Sequence, residues 1–150
     1  NYGGNERLDK LAEGTYVQRM NDVVTLLKGG RSDVACLVFA PSDHGMREKG
    51  AIVSDPAIVK LVRWQRRIAK ESNCLFFDTR ALMGGDGSMG RWVKQGMGWS
   101  DYSHFTAKGE RAMGQGTYRA LMRGLRDWLR LHPDAAIPLP GAAGPAPRHQ

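Results

Sequence analysis

Val34-Ala35-Cys36-Leu37-Val38-Phe39-Ala40, followed at once by Pro41-Ser42-Asp43-His44-Gly45, is the stretch that decides the fold class. The run is of strand length and does not alternate with polar residues, which predicts a strand covered on both faces, as in a parallel sheet. Proline then ends it, and polar side chains collect at its carboxyl end. A second run of the same kind, Cys74-Leu75-Phe76-Phe77, ends in Asp78-Thr79-Arg80.

Ser54-Asp55-Pro56 lies between the two runs and predicts a helix start, a capping side chain followed by proline in the first turn. Ile58, Leu61, Val62, Gln65, Ile68 and Ala69 give that helix its inward stripe, with Arg63, Arg66, Arg67 and Lys70 largely off it. Upstream, Tyr16, Val17, Met20, Val23, Val24 and Leu27 recur at helical spacing until Lys28-Gly29-Gly30 ends the helix. Downstream, Thr106 is a cap for a last helix with apolar positions Ala112, Met113, Leu121, Leu125, Trp128 and Leu129, ending near His132-Pro133. Between Met83 and Ser100 the density of glycine beside Trp92 and Trp99 predicts a long, shaped surface loop.

The order of helix, strand, helix, strand, loop and helix predicts an α/β fold: a parallel sheet with helices on both faces, a three-layer α/β/α arrangement. Ligands of such folds bind beyond the carboxyl ends of the strands, where Asn5, Ser42-Asp43-His44 and Asp78 would gather. Residues 1–132 are expected to form one domain and residues 133–150, mostly Ala, Pro and Gly, a flexible tail. Asn1 to Glu6 reads as the end of a strand running into a loop, so the chain is expected to continue something longer.

With 150 residues, 41% apolar and 25% charged, the composition is that of a globular domain rather than a disordered or fibrous chain. The formal charge of +7 favours anionic partners. No stretch approaches the eighteen or so apolar residues of a membrane span. Cys36 and Cys74, each inside an apolar run, are expected to be buried, inert thiols, although neighbouring parallel strands would also allow them to pair.

The sharpest local pattern is Asp101-Tyr102-Ser103-His104-Phe105-Thr106. At helical pitch, residues three apart share a face, so the carboxylate could accept from one ring nitrogen and leave the other free as a base, the pair that activates a serine hydroxyl. Asp43-His44 together with Asp101 and His104 would also be a conceivable zinc or manganese set, but no paired ligand spacing supports it. Trp92 and Trp99 are either a platform for sugar rings or anchors for the glycine loop. Arg119, Arg123, Arg126 and Arg130 form a basic stripe, read as a solvated face or as a surface for an anionic polymer or lipid. No recognised nucleic-acid reading motif accompanies the charge.

Two blocks together carry a resemblance. Asn1-Tyr2-Gly3-Gly4-Asn5-Glu6 resembles the Gly-x-Asn block of the SGNH, or GDSL-type, hydrolases, and Asp101-x-x-His104 with Gly109 resembles their last block. Ala40-Pro41-Ser42-Asp43 and Met83-Gly84-Gly85-x-Gly87-Ser88-Met89-x-x-Trp92 resemble one branch, the bacterial carbohydrate and peptidoglycan O-acetylesterases. The resemblance runs in order from about Tyr2 to Leu129 and implies the C-terminal part of a flavodoxin-like three-layer fold. It implies His104 as general base and acid, Asp101 as its orienting partner, and Asn5 with Gly3 in the oxyanion hole. Trp92, Trp99, Asp43 and His44 are the expected substrate-binding residues.

The family's Gly-Asp-Ser nucleophile block would lie upstream of Gly3, so the serine is expected from a companion chain or a preceding segment, and this chain alone is expected to be inactive. Ser42 and Ser88 lack the context of an activated nucleophile. The implied substrate is an acylated carbohydrate, the implied compartment periplasmic or extracellular, and no metal or organic cofactor is called for. A lipase or thioesterase of the same superfamily, a metal-dependent hydrolase and an inactive carbohydrate-binding module are the other readings.

Overall fold

The computed structural model describes residues 12–31 and 34–135. The Gly-x-Asn block with Gly3 and Asn5, and nearly all of the Pro/Ala/Gly-rich tail, lie outside the described residues. The elements are, in chain order, α1 (Glu13–Lys28), β1 (Leu37–Phe39), β2 (Gly45–Glu48), β3 (Ala51–Ser54), α2 (Pro56–Glu71), β4 (Leu75–Phe77), α3 (Thr79–Met83), α4 (Ser88–Lys94) and α5 (Ala107–Leu131). The described residues fall into two compact units, divided within α5 between Gly116 and Thr117.

The first unit is mixed α/β. β1 and β4 pair in parallel, Leu37 opposite Leu75 and Phe39 opposite Phe77. The helix between them is the required crossover. α2 begins as its sequence demands: the Asp55 carboxylate accepts from the Ala57 N–H at 2.9 Å, and Pro56 occupies the first turn. Its inward stripe is the expected one, Ile58, Leu61, Val62, Gln65, Ile68 and Ala69 all being buried. Ile58, Leu61, Val62 and Ile68 pack with Tyr16 and Val17 of α1 and with Ala40 into the main core, with Phe76 of β4 against it. Fully burying an aliphatic side chain of this kind contributes about 1.5–3 kcal/mol. α1 ends where its sequence predicts, with Gly29 in the left-handed region.

Three expectations need correction. Coverage on both faces does not hold for the parallel pair: Val38 is buried, but Leu75 is 71% exposed and Leu37 is exposed beside it. Strand periodicity separates the two sets, with Val38 and Phe76 toward the core and Leu37, Phe39, Leu75 and Phe77 on the other face. Nor are the cysteines free. Extending the β1–β4 register back by one residue sets Cys36 opposite Cys74, with Cα atoms 4.7 Å apart, and they form a disulfide. Both are half-buried rather than buried, and an apolar run does not reveal a cysteine's neighbour, which depends on register.

The third correction concerns the glycine-rich stretch. It is not one long loop: it holds α4, and the Trp99 region beyond α4 is pinned by an antiparallel bridge between Gly98 and Phe105. Met83, Met89 and Trp92 form a second core there, with Met97, Phe105 and Met113 packed against it. Gly109, in the first turn of α5, has no space for a side chain, since an added Cβ would run into the Met97 carbonyl. An antiparallel hairpin, β2–β3, also stands between the first strand and α2, turning through Lys49 and Gly50, both at positive φ.

The second unit is the C-terminal half of α5, which remains helical to Leu131. Leu121, Leu125 and Trp128, expected to be inward, are 40–46% exposed there, and the Trp128 ring stacks on His132. Arg119, Arg123, Arg126 and Arg130 are exposed, with Arg130 3.9 Å from Asp127.

Candidate active site

Asp101 and His104 meet as the motif suggests, but through a turn rather than a helix. Tyr102 lies at φ 57°, which breaks helical pitch, and the Asp101 side chain organises the turn around it. Its Oδ1 accepts from the backbone N–H groups of Ser103 (2.9 Å) and His104 (3.1 Å), an Asx turn, while Oδ2 lies 2.7 Å from His104 Nδ1. With Asp101 ionised, Nδ1 must carry the proton it donates, so Nε2 is left as the basic nitrogen. The imidazole bond and the two backbone bonds hold the Asp101 carboxyl down at about 2, against an ordinary value of 3.8.

The loop carrying the pair is fastened on several sides. The Trp99 N–H donates to the His104 carbonyl (2.9 Å), the Tyr102 N–H to the Trp99 carbonyl (3.0 Å), and the Thr106 N–H to the Met97 carbonyl (3.1 Å). The Gly45 N–H, at the start of the hairpin, donates to the Tyr102 carbonyl (2.8 Å). Thr106 caps α5 by accepting from the Gly109 N–H. The pair is thus rigidly based yet open to solvent, with side chains 78% (His104) and 50% (Asp101) exposed.

The other expected site residues divide. Asp43 does not line a cleft: it is completely buried, and its carboxylate takes Arg80 Nε (3.2 Å), Ser88 Oγ (3.1 Å) and the Met89 N–H (3.0 Å). α4 has no side-chain cap of its own, because Gly87 stands at its N-cap, so a carboxylate from 45 residues away serves instead. Ser88 is buried in the same network and unavailable as a nucleophile. Trp92 is also internal, 8% exposed, with its indole N–H donating to the Met83 carbonyl (3.1 Å) and its ring against Phe105. It anchors the glycine-rich segment, whereas Trp99 is 58% exposed beside His104. His44 is half-buried, and its carbonyl accepts from the Asp55 N–H at the start of α2.

Arg80 is the residue sequence reasoning missed. Its guanidinium joins Asp43, the Ser54 hydroxyl and Asp86, tying the end of β3 to the segment before α4. The only signal was its place among the polar residues after the second apolar run. Among the described residues no three His, Cys, Asp or Glu side chains group as a metal site requires, so Asp43, His44, Asp101 and His104 do not assemble as one set.

This fold is shared with a known esterase. The chain is similar to a solved structure of a peptidoglycan O-acetylesterase, with a TM-score of 0.77 and 23% identity, over 84% of this chain and 37% of that one. At that identity the likeness is one of fold, and the chain spans little more than a third of the esterase's length. No family model matches the chain, and no curated protein matches it.

Proposed function

We propose that this chain is the C-terminal portion of an SGNH-type serine esterase, with a three-layer α/β/α fold when complete, acting on an O-acetylated carbohydrate polymer. The observation that carries the reading is the Asp101–His104 pair, with Nδ1 committed to the carboxylate and Nε2 open to solvent. The fold shared with a peptidoglycan O-acetylesterase supports the reaction class.

The nucleophilic serine is supplied from outside residues 1–150, by a preceding segment or a companion chain. One feature supports this: Leu37 and Leu75, on one face of the parallel pair, are exposed apolar side chains of the kind a further layer of polypeptide would cover. In the reaction the serine oxygen adds to the ester carbonyl as His104 Nε2 takes its proton, and Asp101 stabilises the imidazolium. The same proton passes to the departing sugar oxygen, leaving an acetyl-serine. A water, deprotonated by Nε2, then adds to the acetyl carbon, and that proton passes to the serine oxygen as its bond to carbon breaks, which releases acetate and restores the serine. Asn5 and Gly3 are the proposed oxyanion donors, a contribution of about 3 kcal/mol in comparable sites. Trp99, exposed and bonded through its backbone N–H to the His104 carbonyl, is the proposed platform for a sugar ring.

A periplasmic or extracellular setting is part of the proposal, supported by the Cys36–Cys74 disulfide, since such bonds persist in oxidising compartments. The test is acetate release from O-acetylated polysaccharide by the full-length protein and its His104→Ala variant. Turnover should fall on the order of 10⁴-fold in the variant. Turnover within a few-fold of the unsubstituted protein removes His104 from the mechanism and ends the esterase reading.

A further inference from the structure

A groove of about 1030 Å³ runs between the β2–β3 hairpin, α2 and α4, and reaches Tyr102 in the catalytic loop. Five cationic side chains line it: Arg47 from the hairpin, Lys60 and Arg63 from α2, and Arg91 and Lys94 from α4. Only two acids, Glu48 and Asp86, stand among them, and Asp86 is already paired with Arg80. Arg91 is occupied with the carbonyls of Asp86 and Gly84, and Arg47 lies over the Tyr102 ring. Lys60, Arg63 and Lys94 are exposed and have no carboxylate within ion-pair distance among the described residues. Two helices separated in sequence, α2 and α4, therefore bring unneutralised positive charge to one concave surface beside Arg47 of the hairpin, and such a surface concentrates anions.

We infer that this groove binds a carboxylate-bearing carbohydrate polymer and guides it toward the Asp101–His104 loop. The direction comes from Tyr102, which lines the groove and stands between the two catalytic candidates in sequence. Its carbonyl also accepts from Gly45 at the start of the hairpin, so groove wall and catalytic loop are one hydrogen-bonded piece. Single-stranded nucleic acid fits less well, because the groove's one aromatic ring, Tyr102, is half-buried and faced by Arg47, leaving no platform on which bases could stack. The inference deepens the esterase reading by naming the charge of its substrate, and it rests on that reading for the carbohydrate class and the direction of the polymer.

The test is binding of sodium polygalacturonate, neutral dextran and single-stranded DNA to the full-length protein at two ionic strengths. One variant carries Lys60→Gln, Arg63→Gln and Lys94→Gln. A control loses the same charge elsewhere through Arg119→Gln, Arg123→Gln and Arg126→Gln. All six side chains are exposed, so both variants should melt as the unsubstituted protein does. Polygalacturonate should bind more tightly than dextran and more weakly as salt rises; the groove variant should lose about tenfold and the control less than about threefold. Equal losses in the two variants, no preference over dextran, or tighter binding of DNA would overturn the inference. His104→Ala should leave this binding unchanged, so the groove and the proposed chemistry can fail separately.

Discussion

Asp43 and Asp101 are both followed closely by a histidine, and both bind donors from side chain and backbone, yet they are opposites in surroundings. Asp43 is completely buried, with Arg80, Ser88 and the Met89 N–H directed at its carboxylate. Asp101 is half-exposed, and one oxygen holds its own turn while the other holds an imidazole whose second nitrogen faces solvent. A saturated carboxylate in the interior can only position structure. One that orients a titratable group toward open space can support chemistry, and burial rather than motif separates the two.

The largest effect that would sharpen this contrast is catalytic: His104→Ala should lower turnover on the order of 10⁴-fold while shifting stability by less than about 0.5 kcal/mol, because the side chain is exposed. Asp43→Ala should do the reverse in kind, lowering stability by about 2–4 kcal/mol in a urea titration, since it leaves the buried Ser88 hydroxyl and the Met89 N–H without their acceptor, uncaps α4 and takes from Arg80 its buried carboxylate partner. A stability loss below about 1 kcal/mol would erase the distinction between the two aspartates.

Reducing the Cys36–Cys74 bond should cost about 2–4 kcal/mol in the same titration, read as a fall in midpoint under reductant. The smallest effect is in the titration of Asp101. Its carboxyl is held at about 2 when folded and is 3.8 ordinarily, so its contribution to stability is complete above the ordinary value and is lost as pH falls through the folded one. Carboxyl carbon shifts followed by NMR should give a midpoint near 2, moving part of the way up in His104→Ala, where the two backbone donors remain. Equal midpoints in both proteins would show that the imidazole does not hold the carboxylate.

The helix α2 was legible almost residue by residue, because Asp55, Pro56 and the apolar stripe act within a turn or two of themselves. The Asp101–His104 pair was legible for a similar reason, although its geometry was misread: a left-handed Tyr102 and an Asx turn, not helical pitch, join the two side chains. Trp92 and Trp99 were indistinguishable in sequence and differ in structure. One meets Met83 and Phe105 in the second core, and the other, next in sequence to the Gly98–Phe105 bridge, is exposed.

By itself, then, the order of residues determined the caps, the helix stripes, the parallel pairing of two apolar runs and the Asp–His unit, all of which depend on neighbours a few positions away or on a periodicity. Tertiary structure alone decided which carboxylate was buried, which tryptophan was free, that Cys36 faces Cys74, and that cations from the hairpin, α2 and α4 share one groove. Each of these depends on contacts between separate elements, and such contacts are set by how the elements pack against one another, which no local pattern records.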